Sequence, residues 1–258
     1  MVRADEKQYT ESFDEQFLDV DFYRLHKEYL PFVGKAYAQQ KHKVLLIGES
    51  HYVCTKWNWD ERVLFEEWWR EDWHERLMPE GDPHFDEWFN TRIHTSRGAG
   101  GEQAISQVVQ HPLEYVAELF GEPYSSQMLE RISFMNFFQF PSVKYGAGIW
   151  KAFCDITEDV RPYKERRAVR DAIWAKIYEE SKRVVDEVIK ILDPDLVIIC
   201  SCLAGGAYCE GKESIDKPFI RFTTHSTWQP WKSAHNRFKI SGEARCKQII
   251  QEYFSAKA

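Results

Sequence analysis

The sequence predicts an α/β fold, a three-layer α/β/α sandwich whose central sheet has four parallel strands. Short apolar runs alternate along the chain with longer stretches of helical periodicity. The runs are continuously apolar, which indicates strands buried on both faces, as in parallel sheets covered by helices. No internal repeat or linker interrupts the pattern, so residues 1–258 are expected to form a single α/β domain.

Four apolar runs account for the predicted strands. They cover residues 43–47, 132–140, 196–201 and 219–224. Gly48 is expected to end the first strand and to open a loop, and Pro141 is expected to close the second. Parallel sheets bind ligands at the carboxyl ends of their strands, so the residues at these ends are the first candidates for a functional site.

Helical periodicity predicts the layers that cover the sheet. The predicted helices cover residues 19–30, residues 161–192, and a segment that begins after residue 241 and ends near residue 254. Pro194 stops the second of these helices, because proline cannot donate a backbone hydrogen bond. Ser241 is expected to cap the third helix with its hydroxyl group. Small residues at 204–207 suit a turn from the third strand into a further helix.

The composition is that of a globular chain with an acidic balance. Hydrophobic residues make up 43% and charged residues 29%, which excludes a largely disordered or low-complexity protein. A net charge of −7 argues against a uniformly basic nucleic-acid-binding surface, but it leaves room for a local basic patch. The charged N-terminus offers no signal peptide, and no apolar run is long enough to span a membrane, so a soluble cytoplasmic protein is expected.

Six scattered cysteines are expected to be reduced thiols in a chain large enough to fold without disulfides. Cys200, Cys202 and Cys209 could bind a soft metal, but no second ligand pair lies near them in the sequence. No metal or other cofactor is therefore predicted.

Chemically capable side chains lie at the ends of three of the four predicted strands. The first strand leads into Gly48, Glu49, Ser50, His51 and Tyr52, the second carries Asn136, Phe137 and Phe138, and the fourth leads into His225 and Ser226. Since the carboxyl ends of parallel strands meet at one edge of the sheet, these side chains are expected to line one site.

Taken in order, these motifs resemble those of the uracil-DNA glycosylase superfamily. VLLIGESHY is similar to the Gly-Glu opening of the branch that carries an iron-sulfur cluster, and ISFMNFFQFP is similar to its Asn-containing strand. VVDEVIKILDPDLVIICSCLAGGAY resembles the following helix, strand and small-residue turn, and FTTHSTWQPW supplies the His and Ser of the last motif without the intervening Pro. The resemblance covers residues 30–256, but the cysteine spacing does not match the cluster-binding pattern, so no cluster is expected.

The resemblance implies a DNA glycosylase-like hydrolase that acts on an extruded, deaminated base. Breaking an N-glycosidic bond builds positive charge on the sugar and negative charge on the departing base. Glu49 would stabilise the sugar or orient a water molecule, and His225 would donate a hydrogen bond to the leaving base. Asn136 would read the base edge with its amide, which offers both a donor and an acceptor.

The remaining substrate contacts are expected from aromatic rings and from the residues around the motifs. Candidates for stacking on the base are Tyr52, Phe65, Phe137 and Phe138. Trp228 belongs to the turn of residues 228–231 that would wedge into the duplex. Gly48, Ser50 and Ser226 complete the predicted substrate site.

Each candidate also has a structural interpretation. Glu49 could cap a helix, His51 could be a second catalytic group, a metal ligand or a structural loop histidine, and Asn136 and His225 could belong to buried hydrogen-bond networks. Phe137 or Phe138 could be a core residue, because successive strand residues point to opposite faces. Two other functions therefore stay open: a non-catalytic or retargeted member of the fold that binds nucleic acid, a small ligand or a protein, and a hydrolase whose metal is bound by Glu49 and His51.

A long insertion, residues 53–130, separates the first two motifs and is rich in tryptophan and acidic residues. Helical spacing of Phe65, Trp68, Trp69 and Trp73 predicts an amphipathic helix packed on the domain, with a lid over the site as the alternative.

The segment from Lys217 to Lys247 is basic, and within it Glu243 is the single acid set against seven basic residues. It could bind DNA phosphates, or it could be a solvated basic surface. DNA is the predicted partner.

Overall fold

A computed structural model describes the fold of most of the chain. It covers residues 7–52, 61–77, 89–97, 107–142, 163–209, 216–226, 231–235 and 237–257. Within these ranges the protein is an α/β structure built around one mixed sheet of five strands. Among the described helices, none is long and apolar enough to cross a membrane.

The four predicted strands are present and run parallel, but the sheet has a fifth strand that the sequence did not predict. The strands are β1 (Phe32–Val33), β2 (Val44–Tyr52), β3 (Ile132–Ser142), β4 (Leu196–Ile199) and β5 (Phe219–Phe222), and their order in the sheet is β1-β3-β2-β4-β5. β1 pairs antiparallel with β3, Phe32 opposite Phe134, so the prediction of a purely parallel four-stranded sheet was wrong. A strand of two residues is too short to show any periodicity.

The described helices agree with the prediction in the C-terminal half and differ from it near the N-terminus. They are α1 (Asp14–Leu18), α2 (Asp21–Leu25), α3 (Glu61–Glu67), α4 (Trp73–Leu77), α5 (Thr91–Arg97), α6 (Gln107–Val116), α7 (Tyr163–Leu192), α8 (Cys202–Cys209) and α9 (Gly242–Lys257). Shorter 3-10 helices cover Lys27–Tyr29, Tyr37–Gln39, Ala117–Phe120 and Ser126–Arg131. The single helix predicted over residues 19–30 was wrong, because the non-helical backbone of His26 (φ −128°, ψ 66°) ends α2 and only a short 3-10 helix follows it.

Two predicted helix boundaries are confirmed by their local chemistry. Asp193 has a positive φ of 42° directly after α7, so the helix ends before Pro194. At the other end of the sequence, Ser241 Oγ accepts a hydrogen bond from the Ala244 amide at 3.1 Å and caps α9.

Helices lie on both faces of the sheet, and the side chains of β2 alternate between them. Leu45 and Ile47 belong to an apolar cluster that includes Val188 of α7, and we call this face the α7 side. Val44 and Leu46 belong to a second cluster that includes Leu113 of α6 and Ile250 of α9, and we call this face the α9 side. Each strand is therefore buried from both directions, which explains the continuous apolar runs.

β2 is longer than the sequence predicted, and this changes the setting of the first motif. Gly48 does not end the strand: it pairs with Asn136 of β3, and Ser50 pairs with Phe138 before the register shifts at Tyr52. The Gly-Glu-Ser-His-Tyr motif is thus part of a strand rather than a loop. Its side chains must alternate between the two faces of the sheet.

β3 also runs beyond its predicted end. It continues through Pro141 to Ser142, although a proline has no backbone amide to donate. β1 pairs only with Ser133 and Phe134, near the start of β3. In the described structure, the side of β3 that faces β1 therefore has no strand beside Pro141 that would need a hydrogen bond from its backbone.

Close packing of α8 against β5 depends on a glycine. A Cβ atom added to Gly205 would collide with the side chain of Phe222, which is 3% exposed. The neighbouring Gly206 is less confined, since its added Cβ would meet only the Arg237 Nη1 atom, at 3.1 Å. The two adjacent glycines therefore differ in how much room they have.

We expect Gly205→Ala to lower the free energy of unfolding by about 1–3 kcal/mol, because the added methyl group overpacks the contact with Phe222. Gly206→Ala is the matched control and should leave this free energy unchanged or raise it by up to about 1 kcal/mol, since alanine favours the helix. Urea unfolding of both variants measures the difference. Equal effects would contradict the tight packing of α8 on β5.

Candidate functional site

The extended β2 divides the first motif between the two faces of the sheet. Gly48 faces the α9 side, where a Cβ on this residue would meet Asn136 and Phe134. Glu49, the next residue, faces the α7 side and reaches Ser201 at the start of α8. The structure therefore brings Asn136 to Gly48, while the Glu49 carboxyl group lies on the opposite face of the same strand.

Asn136 is a buried amide that lies directly over Gly48. An added Cβ at Gly48 would collide with the Asn136 Oδ1 atom, so only glycine leaves room for the amide in this position. The residue is 6% exposed, and its amide makes no hydrogen bond within the described ranges, although its polar atoms are not among the fully buried atoms that lack a partner. An amide that keeps some contact with solvent and is not engaged by the described protein can donate to and accept from a ligand at this position.

Glu49 is a buried carboxyl group held at the N-terminus of α8. Its Oε2 atom accepts a hydrogen bond from Ser201 Oγ at 2.5 Å, and Glu49 is 4% exposed. Ser201 Oγ in turn accepts hydrogen bonds from the amides of Leu203 and Ala204, each at 3.1 Å. Burial raises the pKa of Glu49, and the hydrogen bond from Ser201 opposes that rise. Glu49 is thus a fixed group that can exchange a proton closer to neutral pH than an ordinary carboxyl group.

His225 is buried and neutral at pH 7. It is 8% exposed, and burial lowers its pKa to about 4. The following residue, Ser226, is anchored to α6: its hydroxyl donates to the Val108 carbonyl at 3.0 Å, and its own carbonyl accepts from His111 Nδ1 at 2.8 Å. Because α6 covers the α9 side and contacts β2, the segment after β5 turns toward the face that carries Asn136.

His51 lies on the α7 side in a buried polar cluster that the sequence did not predict. It is 3% exposed, its Nε2 atom is hydrogen-bonded to Thr91 Oγ1 at 3.2 Å, and its ring centroid is 4.2 Å from that of Tyr29. Three buried polar atoms of this region have no partner in the described part of the chain: Tyr29 Oη, His94 Nδ1 and Thr95 Oγ1. Burial lowers the pKa of His94 to about 4.

The only sequence signal for this cluster is the spacing of Thr91, His94 and Thr95, which lie on one face if the segment is a helix.

The structure also bears on the hypothesis that Glu49 and His51 bind a metal. Within the described ranges, no group of three or more His, Cys, Asp or Glu side chains is arranged to hold a metal ion. The four described cysteines, at 200, 202, 209 and 246, form no disulfide with one another.

The predicted stacking residues occupy different environments. Phe137 and Phe138 are fully buried, with their ring centroids 4.8 Å apart in an edge-to-face contact, and Phe138 also lies 5.5 Å from Trp174. Both rings are therefore part of the core. Phe65 is partly buried and packs against this same cluster. Trp228 and the side chain of Tyr52 lie outside the described residues.

The described part of the tryptophan-rich insertion is packed on the domain. Its predicted single helix is two helices, α3 and α4, and both Trp68 and Trp73 are fully buried. The Trp68 indole donates to the Gln139 carbonyl at 2.9 Å, and the Trp73 indole donates to the Leu25 carbonyl at 3.1 Å. These tryptophans therefore serve the core of the α7 side. The further tryptophans of the insertion, at positions 57, 59 and 88, lie outside the described residues.

The basic segment is less basic in three dimensions than in sequence. Lys217 pairs with Asp193 at 2.9 Å, Arg221 and Arg245 each pair with Glu252 at 2.8 Å, and Lys247 pairs with Glu243 at 3.1 Å. The cations of the segment that are exposed and have no carboxylate within ion-pair distance in the described structure are Lys232, Arg237 and Lys239. Any phosphate contact from this segment would therefore come from these three side chains.

Comparison of the chain with models of protein families, with curated proteins and with solved structures finds no match. The residues and contacts at the strand ends are therefore the basis on which a function can be assigned.

Glu49 should make the stability of the protein depend on pH in a defined direction. The pKa of Glu49 is raised in the folded state, so the folded protein holds this proton more tightly than the unfolded chain does. The contribution of Glu49 to the free energy of unfolding therefore falls as pH rises above about 4.5. Glu49→Gln keeps an acceptor for Ser201 but cannot ionise. We expect its free energy of unfolding, relative to wild type, to increase with pH above 4.5, by at most about 1.4 kcal/mol per pH unit. Urea unfolding from pH 4 to 8 measures this, and a constant difference would contradict the raised pKa.

His225 should show the opposite behaviour. A pKa lowered from 6.5 to about 4 means that the unfolded chain takes up a proton first, so His225 costs stability as pH falls from about 6.5 toward 4. We expect its ring proton resonances in an NMR titration to stay constant from pH 8 to 5. A titration midpoint near 6.5 would show that the ring is exposed to water and would contradict its role as a buried, neutral hydrogen-bond donor.

Proposed function

We propose that this protein is a hydrolase of the uracil-DNA glycosylase type, with the corresponding fold, that cleaves the N-glycosidic bond of a deaminated base after the base leaves the DNA stack. The observation that carries the proposal is the Asn136 amide, which lies over Gly48 within β2 and makes no hydrogen bond in the described part of the chain. An amide presents one donor and one acceptor side by side, which matches the imide edge of uracil. The carbonyl-rich edge of a pyrimidine is thus the expected ligand of this amide.

His225 would act on the departing base. As the bond between the sugar C1′ atom and the base nitrogen breaks, the electron pair stays with the base, and negative charge builds on its carbonyl oxygen. A neutral imidazole carries one N–H group, so in a buried site it can donate a hydrogen bond to that oxygen without first taking up a proton. Such a donor is worth a few kcal/mol of barrier, or about 10²–10³ in rate.

Glu49 would act on the sugar and on the attacking water. A carboxylate near the end of the sheet stabilises positive charge on the sugar, and it can accept a proton from the water that adds to C1′. Ser201 would hold the carboxylate in place throughout. In this proposal the base lies on the α9 side, against Asn136, and the sugar crosses the end of β2 toward Glu49.

DNA is the proposed partner, and the exposed Lys232, Arg237 and Lys239 support contacts to its phosphates. The proposed wedge around Trp228 lies outside the described residues and stays a prediction. A cytoplasmic location belongs to the same proposal.

A second candidate is a binding protein of the same fold that holds a base-like ligand at Asn136 without cleaving it. The placement of the first motif on both faces of the sheet favours this binding function, because Glu49 faces away from Asn136 and its carboxyl group already accepts a hydrogen bond from Ser201. Retained binding of the ligand together with no turnover distinguishes this function from the first.

The proposal predicts formation of abasic sites in uracil-containing single-stranded or double-stranded DNA. Asn136→Asp should reduce the rate at least 100-fold, because it replaces the amide donor with a charged acceptor, and His225→Gln and Glu49→Gln should each reduce it by about 10²–10³. The matched control is His42→Gln. His42 lies just before β2, at the opposite edge of the sheet, where its Nδ1 atom is 2.9 Å from the Tyr253 hydroxyl, so this change should leave the rate within about twofold.

Two results would overturn the proposed activity. The first is the absence of abasic sites with every deaminated base tested, namely uracil, hypoxanthine and xanthine. The second is an activity that the changes at Asn136, His225 and Glu49 reduce no more than His42→Gln does.

A further inference from the structure

A groove with a volume of about 440 Å³ lies between α7 and α8, on the α7 side of the sheet. It is separate from the Asn136 position, which is on the α9 side. Its walls include Trp174 and Tyr178 of α7, Cys202, Gly206 and Ala207 of α8, and the side chain of Arg237. The proposed cleavage does not use this groove.

The guanidinium group of Arg237 is the one cation on the described lining of this groove. It is exposed, it lies over the ring of Phe222 at 4.5 Å from the ring centroid, and no carboxylate in the described structure is within ion-pair distance of it. Arg221 and Arg245 differ from it, since both are buried and both pair with Glu252. An unneutralised guanidinium at the edge of a groove favours an anionic ligand, and its planar donors suit a phosphate or carboxylate.

The other walls suit a planar, apolar group. Trp174 and Tyr178 are four residues apart on α7, so both rings project from one face of the helix. Opposite them, Gly206 and Ala207 have little or no side chain, which leaves the width of the groove open. Aromatic rings facing an open slot are the usual platform for stacking nucleic-acid bases, whatever the sequence of those bases.

The N-terminus of α8 does not compete with Arg237 for an anion. Ser201 Oγ already accepts the hydrogen bonds of the Leu203 and Ala204 amides. Burial raises the pKa of the Cys202 thiol to about 11, so this wall of the groove is neutral at pH 7. Arg237 therefore supplies the charge that would attract an anion into the groove.

The groove is connected to Glu49 through Ser201. Ser201 holds the Glu49 carboxyl group, and the following residue, Cys202, lines the groove. The charges of Glu49 and Arg237 both act on the Cys202 thiol, in opposite directions, which puts Cys202 within electrostatic reach of both. A strand that enters the site near Glu49 would therefore have the groove directly in its path.

We propose that this groove binds one nucleotide of single-stranded DNA, with its base against Trp174 and Tyr178 and its phosphate on Arg237. The inference rests on the proposed function and deepens it, because it makes an unpaired strand the preferred substrate. The nucleotide in the groove flanks the extruded base and is not the base that is cleaved.

Fluorescence anisotropy with a labelled, uracil-free single strand of 12 nucleotides tests the groove independently of catalysis. Arg237→Gln should weaken binding at least fivefold and reduce the slope of log affinity against log salt by about 0.7, the value for one phosphate contact on a single strand. Trp174→Ala should weaken binding at least fivefold through lost stacking. Arg183→Gln removes a similarly charged α7 side chain, which pairs with Glu180 outside the groove, and should change binding less than twofold.

Arg237 is exposed, so Arg237→Gln should unfold at the wild-type temperature and the result does not depend on Trp174→Ala being stable. The groove proposal is overturned if the wild-type protein does not bind the single strand, or if Arg237→Gln and Arg183→Gln weaken binding equally. Weaker binding by Arg237→Gln in a protein that forms no abasic sites would support the groove and refute the glycosylase. Abasic-site formation together with unchanged binding by Arg237→Gln would support the glycosylase and refute the groove.

Discussion

The pairing of β2 with β3 as far as Ser50 and Phe138 is the constraint on which the rest of the site depends. A paired strand must alternate its side chains, so this pairing sends Gly48 to one face of the sheet and Glu49 to the other. Asn136 can lie over β2 only because its partner in register, Gly48, has no side chain. The same alternation brings Glu49 to Ser201 and so connects it to the start of α8.

Burial then sets the chemistry of both ionisable groups at the strand ends. It raises the pKa of Glu49 and lowers that of His225, because a low-dielectric environment disfavours the charged form of either group. Near neutral pH the imidazole is therefore an uncharged donor. The carboxyl group keeps a proton affinity above its ordinary value, although Ser201 limits that rise. This combination suits a reaction that needs a donor at a leaving group and a proton acceptor at a water molecule.

Much of the fold follows from patterns within single segments of the sequence, whereas the site depends on contacts between segments. The apolar runs locate four strands, and Ser241 marks the start of the last helix because its hydroxyl can cap it. Gly48 suggests the end of a strand when read alone, yet its role is to admit the amide of a residue 88 positions later, a pairing that only the sheet register specifies. Four of the seven cations in the basic segment are similarly paired, two of them with Glu252, which lies beyond the segment in the sequence.

The central claim is that the Asn136 amide over Gly48 recognises the edge of a base, and an NMR titration of side-chain amides with free uracil tests it most directly. The prediction is a saturable shift of the Asn136 amide resonances. Gln40, whose amide donates to the Ala36 carbonyl near the opposite edge of the sheet, should not shift. Asn136 resonances that stay unchanged up to millimolar uracil, or that shift no more than those of Gln40, would contradict the account.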